Sequence, residues 1–131
     1  MTAIAGMLMG CSQTRVIDYP TIEQRNSKSI EFYQVEISDT ALTLHGDLYN
    51  RPNYWSRISS SSILKGRTTG NTYRLVRAIG IELDKKETMP TSWNRTFSLQ
   101  FEPVDPKDKL VDFDEALPEE DGWKMEGISL E

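Results

Sequence analysis

Thr96-Phe97-Ser98-Leu99-Gln100-Phe101 alternates polar and apolar residues without a break. Successive side chains of a β-strand point to opposite faces, so Phe97, Leu99 and Phe101 share one face while Ser98 and Gln100 share the other. The stretch predicts a half-buried strand. Met89-Pro90-Thr91-Ser92 before it has turn composition, and Pro103, Pro106 and Lys107 to Lys109 make a loop after it. Outward from this strand the same period returns in short runs. Leu42, Leu44 and Leu48 are the inward positions of 41–49, with Gly46 read as a bulge. In 29–37, Ile30 and Phe32 share one face while Val35 and Ile37 take the other, so the strand changes face near Gln34.

Asn50-Arg51-Pro52-Asn53 reads as a turn, and 54–64 as a strand with an irregular second half, because the hydroxyls of Ser59 to Ser62 compete for the backbone. Segment 72–83 sets Tyr73 and Leu75 opposite Arg74 and Val76 until Gly80 interrupts. Leu110 to Phe113 is a short strand, and Glu119-Glu120-Asp121-Gly122 is a polar turn. Trp123 and Met125 keep period two before the pattern slips past Gly127, as a bulge would require. Val16, Ile17 and Pro20 suit an edge strand, since proline cannot donate to a ladder. No segment of helical length sustains an apolar period of 3.6. About seven or eight short strands divided by turns predict an all-β fold, an antiparallel immunoglobulin-like β-sandwich. The disulfide-and-Trp signature of antibody domains is absent, so only the architecture is expected.

The 131 residues suit one domain, and 20 acids against 15 bases give a net charge of −5. No Lys/Arg block is present, which argues against nucleic acid as a partner. Met1 to Gly10 carry no charge, and Leu8-Met9-Gly10-Cys11 matches a bacterial lipobox with Cys11 as the lipid acceptor. The apolar run is too short to span a bilayer and reads as a signal peptide over 1–10. Its missing basic n-region points to a start codon upstream of Met1 or to a truncated chain. Residues 11–27 then form a lipid-anchored tether and first edge strand, and 28–131 the sandwich. Ser12, Gln13 and Thr14 include no acidic residue that would retain the anchor in the inner membrane, so the expected location is the cell envelope, at the periplasmic face of the outer membrane. The expected membrane contact is through the N-terminal lipid.

With Cys11 taken by lipid, no thiol remains for a disulfide, a C-x-x-C redox pair or a thiolate metal site, and no cofactor is expected. His45 reads as a surface or hydrogen-bonded residue; a carboxylate and a hydroxyl converging on it in a cleft would instead mark a catalyst. Ser59 to Ser62 lack a nucleophile elbow and read as a flexible or edge segment. Asp105, Asp108, Asp112, Asp114 and Glu115 lack a calcium-loop pattern and read as a solvated acidic loop. Lys65 precedes Gly66 and Gly70 with no helix after them, unlike a phosphate loop. Tyr54, Trp55 and Trp93 sit at polar turns and form the candidate binding set, a stacking platform for sugar rings.

Several blocks follow one another in order: Arg51-Pro52, Tyr54 to Ile58, Tyr73 to Leu75, Gly80 to Asp84, Met89-Pro90, Phe97 to Pro103, Val111 to Glu115 and Gly122 to Leu130. Together, over about 18–130, they resemble the N-terminal, non-catalytic domain of envelope thioredoxin-like thiol–disulfide oxidoreductases of anaerobic Gram-negative bacteria. The resemblance implies a lipid-anchored β-sandwich that accompanies a redox module or recognises its client protein. The chain stops at Glu131, before any C-x-x-C, so no redox activity transfers to its residues. The expected role is a non-catalytic accessory or interaction domain. The alternative is a stand-alone envelope lipoprotein that binds glycan or peptide.

Overall fold

A computed structural model of the chain describes residues 14–118 and 122–131. The signal segment 1–10, the lipid acceptor Cys11 and the acids of the turn at 119–121 lie outside the described residues. The strands are β1 (Arg15–Asp18), β2 (Ile22–Arg25), β3 (Ile30–Ile37), β4 (Leu42–Tyr49), β5 (Trp55–Ser56), β6 (Ile63–Gly66), β7 (Thr72–Ile79), β8 (Glu87–Thr88), β9 (Asn94–Phe101), β10 (Leu110–Asp114) and β11 (Lys124–Ser129). Nine of them form one antiparallel sheet in the order β1-β3-β4-β9-β7-β6-β10-β11-β2, and β5 pairs with β8 separately. The fold is the expected all-β sandwich, with more strands than the seven or eight predicted.

The two layers are halves of one curled sheet, and β7 belongs to both. Its Thr72, Tyr73 and Arg74 pair with β6, whereas Leu75 and Arg77 to Ile79 pair with β9 across a bulge at Val76. A bulge bends and twists its strand, which turns the ladder from one layer into the next. On the opposite side the chain crosses between layers through Tyr19, whose φ is +48°, and buried Pro20. This places β1 at the edge beside β3 and β2 at the edge beside β11. Arg25 of β2 spans that side with a two-pronged ion pair to Glu31 of β3, at 3.1 and 3.2 Å.

The alternating residues fill the space between layers. Phe97, Leu99 and Phe101 of β9 meet Ile30, Phe32 and Val35 of β3 and Leu42, Leu44 and Leu48 of β4, all fully buried. The facing layer contributes Leu64, Val111, Phe113, Met125 and Ile128. Phe113 stands edge-on to Phe32, with centroids 5.3 Å apart, and to Phe101 at 6.3 Å. Burying each such side chain contributes roughly 1.5–3 kcal/mol. β3 does change face: the ladder with β4 shifts between Phe32 and Gln34, leaving Tyr33 as the extra residue. The expected bulge at Gly46 is therefore on the facing strand. Gly46 itself stays in register with Phe97, because a Cβ there would come within 2.8 Å of the Phe97 ring and 2.6 Å of the Glu31 carbonyl. The bulge expected at Gly127 is present, where φ is +70°.

Two expectations need correction. Segment 54–64 is two short strands, β5 and β6, separated by a serine turn. That turn is not a strand edge and is closed by its own hydrogen bonds: the Ser62 hydroxyl donates to the Ser59 carbonyl at 2.7 Å, and the Ser61 amide donates to Ser59 Oγ at 3.1 Å. Nor is the acidic group a solvated loop, since Asp108 and Glu115 are only 2% and 4% exposed. Asp108 accepts from the amides of Thr68 and Thr69 at 2.9 Å each, from Thr69 Oγ1 at 2.7 Å and from Tyr73 Oη at 2.6 Å. The turn after β6 thus cradles an anion, the chain's own. Gly66 leaves room for it, because a Cβ there would overlap the Asp108 carboxylate.

Burial alone would push the Asp108 carboxyl up, but its hydrogen bonds from Thr69, Tyr73 and Thr68 outweigh that and hold it below the ordinary value. A carboxylate lowered in the folded state adds stability above its unfolded value, about 3.9, and that stability disappears as pH falls through the folded value. Asp108→Asn is expected to cost about 2–3 kcal/mol at neutral pH by leaving buried donors poorly matched, and to flatten the loss of stability on acidification. Urea unfolding of both proteins at pH 7 and near pH 3 checks this; an equal acid loss in the two would reject the role given to Asp108.

Candidate functional site

A cleft of about 300 Å³ opens at one end of the sandwich, lined by Ser29, Tyr49, Asn50, Trp55, Ser56, Arg57, Ser59, Glu115, Leu117 and Trp123. Its walls come from four places: the ends of β3 and β4, the short β5, the serine turn, and the connection from β10 to β11. Period-two alternation sends Leu48 inward and Tyr49 outward at the end of β4. Tyr49 remains 44% exposed, and burial first, then the neighbouring Asp47 carboxylate, pushes its phenol above the ordinary value. The phenol therefore keeps its proton and can donate. Trp123 is half-buried, and its indole N–H donates to Ser29 Oγ at 3.2 Å.

Glu115 assembles the cleft. One carboxylate oxygen accepts the Ser59 amide and the other the Trp123 amide, each at 2.9 Å. Its own carbonyl accepts the Ser61 hydroxyl at 2.6 Å, and its amide donates to the Trp123 carbonyl at 3.1 Å. The serine turn and Trp123 are thereby fixed to the end of β10 by one buried side chain. Asp84 holds the turn from the other side by accepting the Ser60 amide at 2.9 Å. Hydrogen bonds from Ser60 first, and the Arg57 charge last, keep the Asp84 carboxyl below its ordinary value.

Of the three aromatics predicted to form a platform, Trp55 lines the cleft and is 49% exposed. Tyr54 and Trp93 are exposed at the same end but outside the lining. Asn50 ties this region together, accepting nothing from the indoles but donating its side-chain amide to the Trp55 carbonyl at 3.1 Å and its backbone amide to the Trp93 carbonyl at 3.2 Å. Sequence reasoning missed Tyr49, Trp123 and Glu115. Glu115 had a signal: it continues the inward series Val111, Phe113 at a spacing of two. Trp123 and Tyr49 had none, because residues distant in sequence become neighbours only through the ladders.

The Trp55 ring carries two cations. Lys86 Nζ lies 4.4 Å from its centroid, and the Arg57 guanidinium lies 5.7 Å away. Arg51 stands 5.9 Å over the Tyr54 ring in the same way. Among the described residues, none of these three cations makes an ion pair, in contrast to Lys85 with Glu82 and Arg95 with Glu87.

A second constellation lies on the outer face of β3, β4 and β9. His45 Nε2 is 2.5 Å from Glu36 Oε1 and its Nδ1 is 2.6 Å from Ser98 Oγ, with the Tyr33 ring tilted over the imidazole at 6.3 Å. A carboxylate and a hydroxyl do converge on His45, but on the flank of a sheet and not in a cleft. Ser98 sits on a strand paired on both sides, with His45 of β4 and Ile79 of β7. Acyl transfer needs free N–H groups aimed at a developing oxyanion, and a ladder strand has already committed its amides. The trio joins a wider polar face in which Asp47 accepts from Thr96 at 2.7 Å and Gln34 donates to Asp18 at 2.9 Å. A fluorophosphonate probe is expected to leave Ser98 unlabelled; labelling that disappears in Ser98→Ala would restore a hydrolase reading.

Among the described residues, no three His, Cys, Asp or Glu side chains are grouped to hold a metal ion, and no helix is long and apolar enough to cross a membrane. No protein-family model matches the chain, no curated protein is significantly similar to it, and no solved structure matches it.

Proposed function

We propose that the chain is a non-catalytic interaction domain of a lipid-anchored envelope protein, and that it binds a glycan in the cleft between Trp55 and Trp123. The observation that carries this reading is the composition of the cleft wall, which combines Tyr49, Trp55 and Trp123 with Ser29, Asn50, Ser56 and Ser59. Flat aromatic faces suit the apolar faces of pyranose rings, and short hydroxyl and amide side chains suit their hydroxyl rims. A peptide added as a strand within this cleft would need the free edge of β5, where Asn50 already occupies the Trp55 carbonyl. Glu115 fixes two of the walls in advance, which lowers the ordering cost of binding.

A panel of neutral and acidic oligosaccharides, titrated against the protein and followed by tryptophan fluorescence, tests the reading. At least one is expected to shift the emission, and Trp55→Ala to weaken that binding by about tenfold or more, a usual loss for a stacked aromatic anchor. A panel that leaves the emission unchanged throughout removes the glycan reading.

The place of this domain beside a thioredoxin-like module is supported by the ordered blocks that resemble such N-terminal domains. Those blocks coincide with β5, β7, β9, β10 and β11 and the turns ahead of them, so the likeness rests on the framework of the sandwich. The lipid anchor rests on Leu8 to Cys11, with the envelope as location. Sequencing the native gene through the Glu131 codon is expected to find a frame that continues into a C-x-x-C domain. A stop codon there would leave a stand-alone lipoprotein and reject the redox companion.

A further inference from the structure

We infer that the cleft selects a carboxylate-bearing sugar, a hexuronate within an oligosaccharide, over its neutral counterpart. The inference rests on the glycan reading of the cleft and concerns the charge of its ligand.

The chain is acidic overall, at net −5, yet Arg57 of the lining and Lys86 gather around one indole, that of Trp55. Among the described residues, the one acid in the lining is Glu115, which is buried with both oxygens occupied by the amides of Ser59 and Trp123. Asp84, which feels the Arg57 charge, is committed to the Ser60 amide. Among the described residues, neither cation makes an ion pair, while Glu115 and Asp84 are committed to backbone amides.

The indole contacts decide between ligands. A neutral ring that stacks on Trp55 must displace a cation from its π face and offers that cation only hydroxyls in return. A hexuronate displaces it equally but supplies a carboxylate, with which a guanidinium makes paired charge-assisted hydrogen bonds. Arg57 is placed for this role because it lies in the lining as well as beside the ring. Lys86 acts as a point charge from the ring side. Ser29, Asn50, Ser56 and Ser59 of the same lining supply short polar side chains for the uncharged sugar edges.

Isothermal titration of the protein with oligogalacturonate and with a neutral galactan oligosaccharide of equal length tests the inference. The oligogalacturonate is expected to bind at least about tenfold tighter, to weaken as salt is raised, and to lose about tenfold in Arg57→Gln. Lys86→Gln, on a separate exposed side chain, is expected to lose a smaller factor in the same direction. Equal binding of the two sugars, or oligogalacturonate affinity unchanged in both variants, overturns the charge selection and leaves the glycan reading standing. Binding of neither sugar, with no response to any other in the fluorescence panel, overturns both.

Discussion

The structure depends on Phe113 reaching across from one layer to stand edge-on against Phe32 and Phe101 of the other. Edge-to-face contact lets the positive rim of one ring meet the negative face of the next, and it sets a distance between the layers that aliphatic side chains then fill. Phe97 extends the cluster by packing at 6.2 Å against Phe32. Gly46 is the complement of this arrangement: two rings pass over its backbone, and the absence of a side chain there keeps β4 close beneath them. With no disulfide among the described residues, shape matching of this kind has to hold the layers together.

Two buried carboxylates then convert loops into fixed parts. Asp108 gathers the turn between β6 and β7 beneath Tyr73, and Glu115 gathers the serine turn and Trp123. A buried charge is costly unless its lone pairs are satisfied; backbone amides supply both partners of the Glu115 carboxylate and half of those of Asp108. The geometry they impose is consequently directional. Glu115 aims one wall of the cleft, so the scaffold and the candidate binding site share a single hydrogen-bonded centre.

The framework was legible in the sequence wherever period two ran unbroken. Thr96 to Phe101 and Leu42 to Leu48 lie as their alternation demands, and the face change in β3 followed from Val35 falling out of phase with Phe32. The β5–β8 pair was not legible, because strands of two residues carry no periodicity. Gly46 was misread since a glycine needed for close approach looks the same as one needed for a bulge. The acids were misread by composition: Asp108 and Glu115 share their charge with Asp105 and Asp114, and only the amides brought by remote turns separate buried from solvated. The candidate site was legible at Trp55 alone, while Tyr49 and Trp123 join it through partners remote in sequence, Asn94 for Tyr49 and Ser29 for Trp123.

The crossing at Tyr19 and Pro20 gives the first described residues the two outermost positions, one in each layer. β2 in particular has only β11 as its ladder partner, about a hundred residues further along the chain. A chain that emerges from a ribosome or a translocation pore N-terminus first therefore has to carry this segment undocked until Lys124 to Ser129 appears. Until that moment one flank of the sandwich lacks its closing strand, and its unpaired edge is open to other chains. Closure of the sandwich is gated by β11, so the interval between synthesis of β2 and synthesis of β11 is the period in which this fold most needs a chaperone.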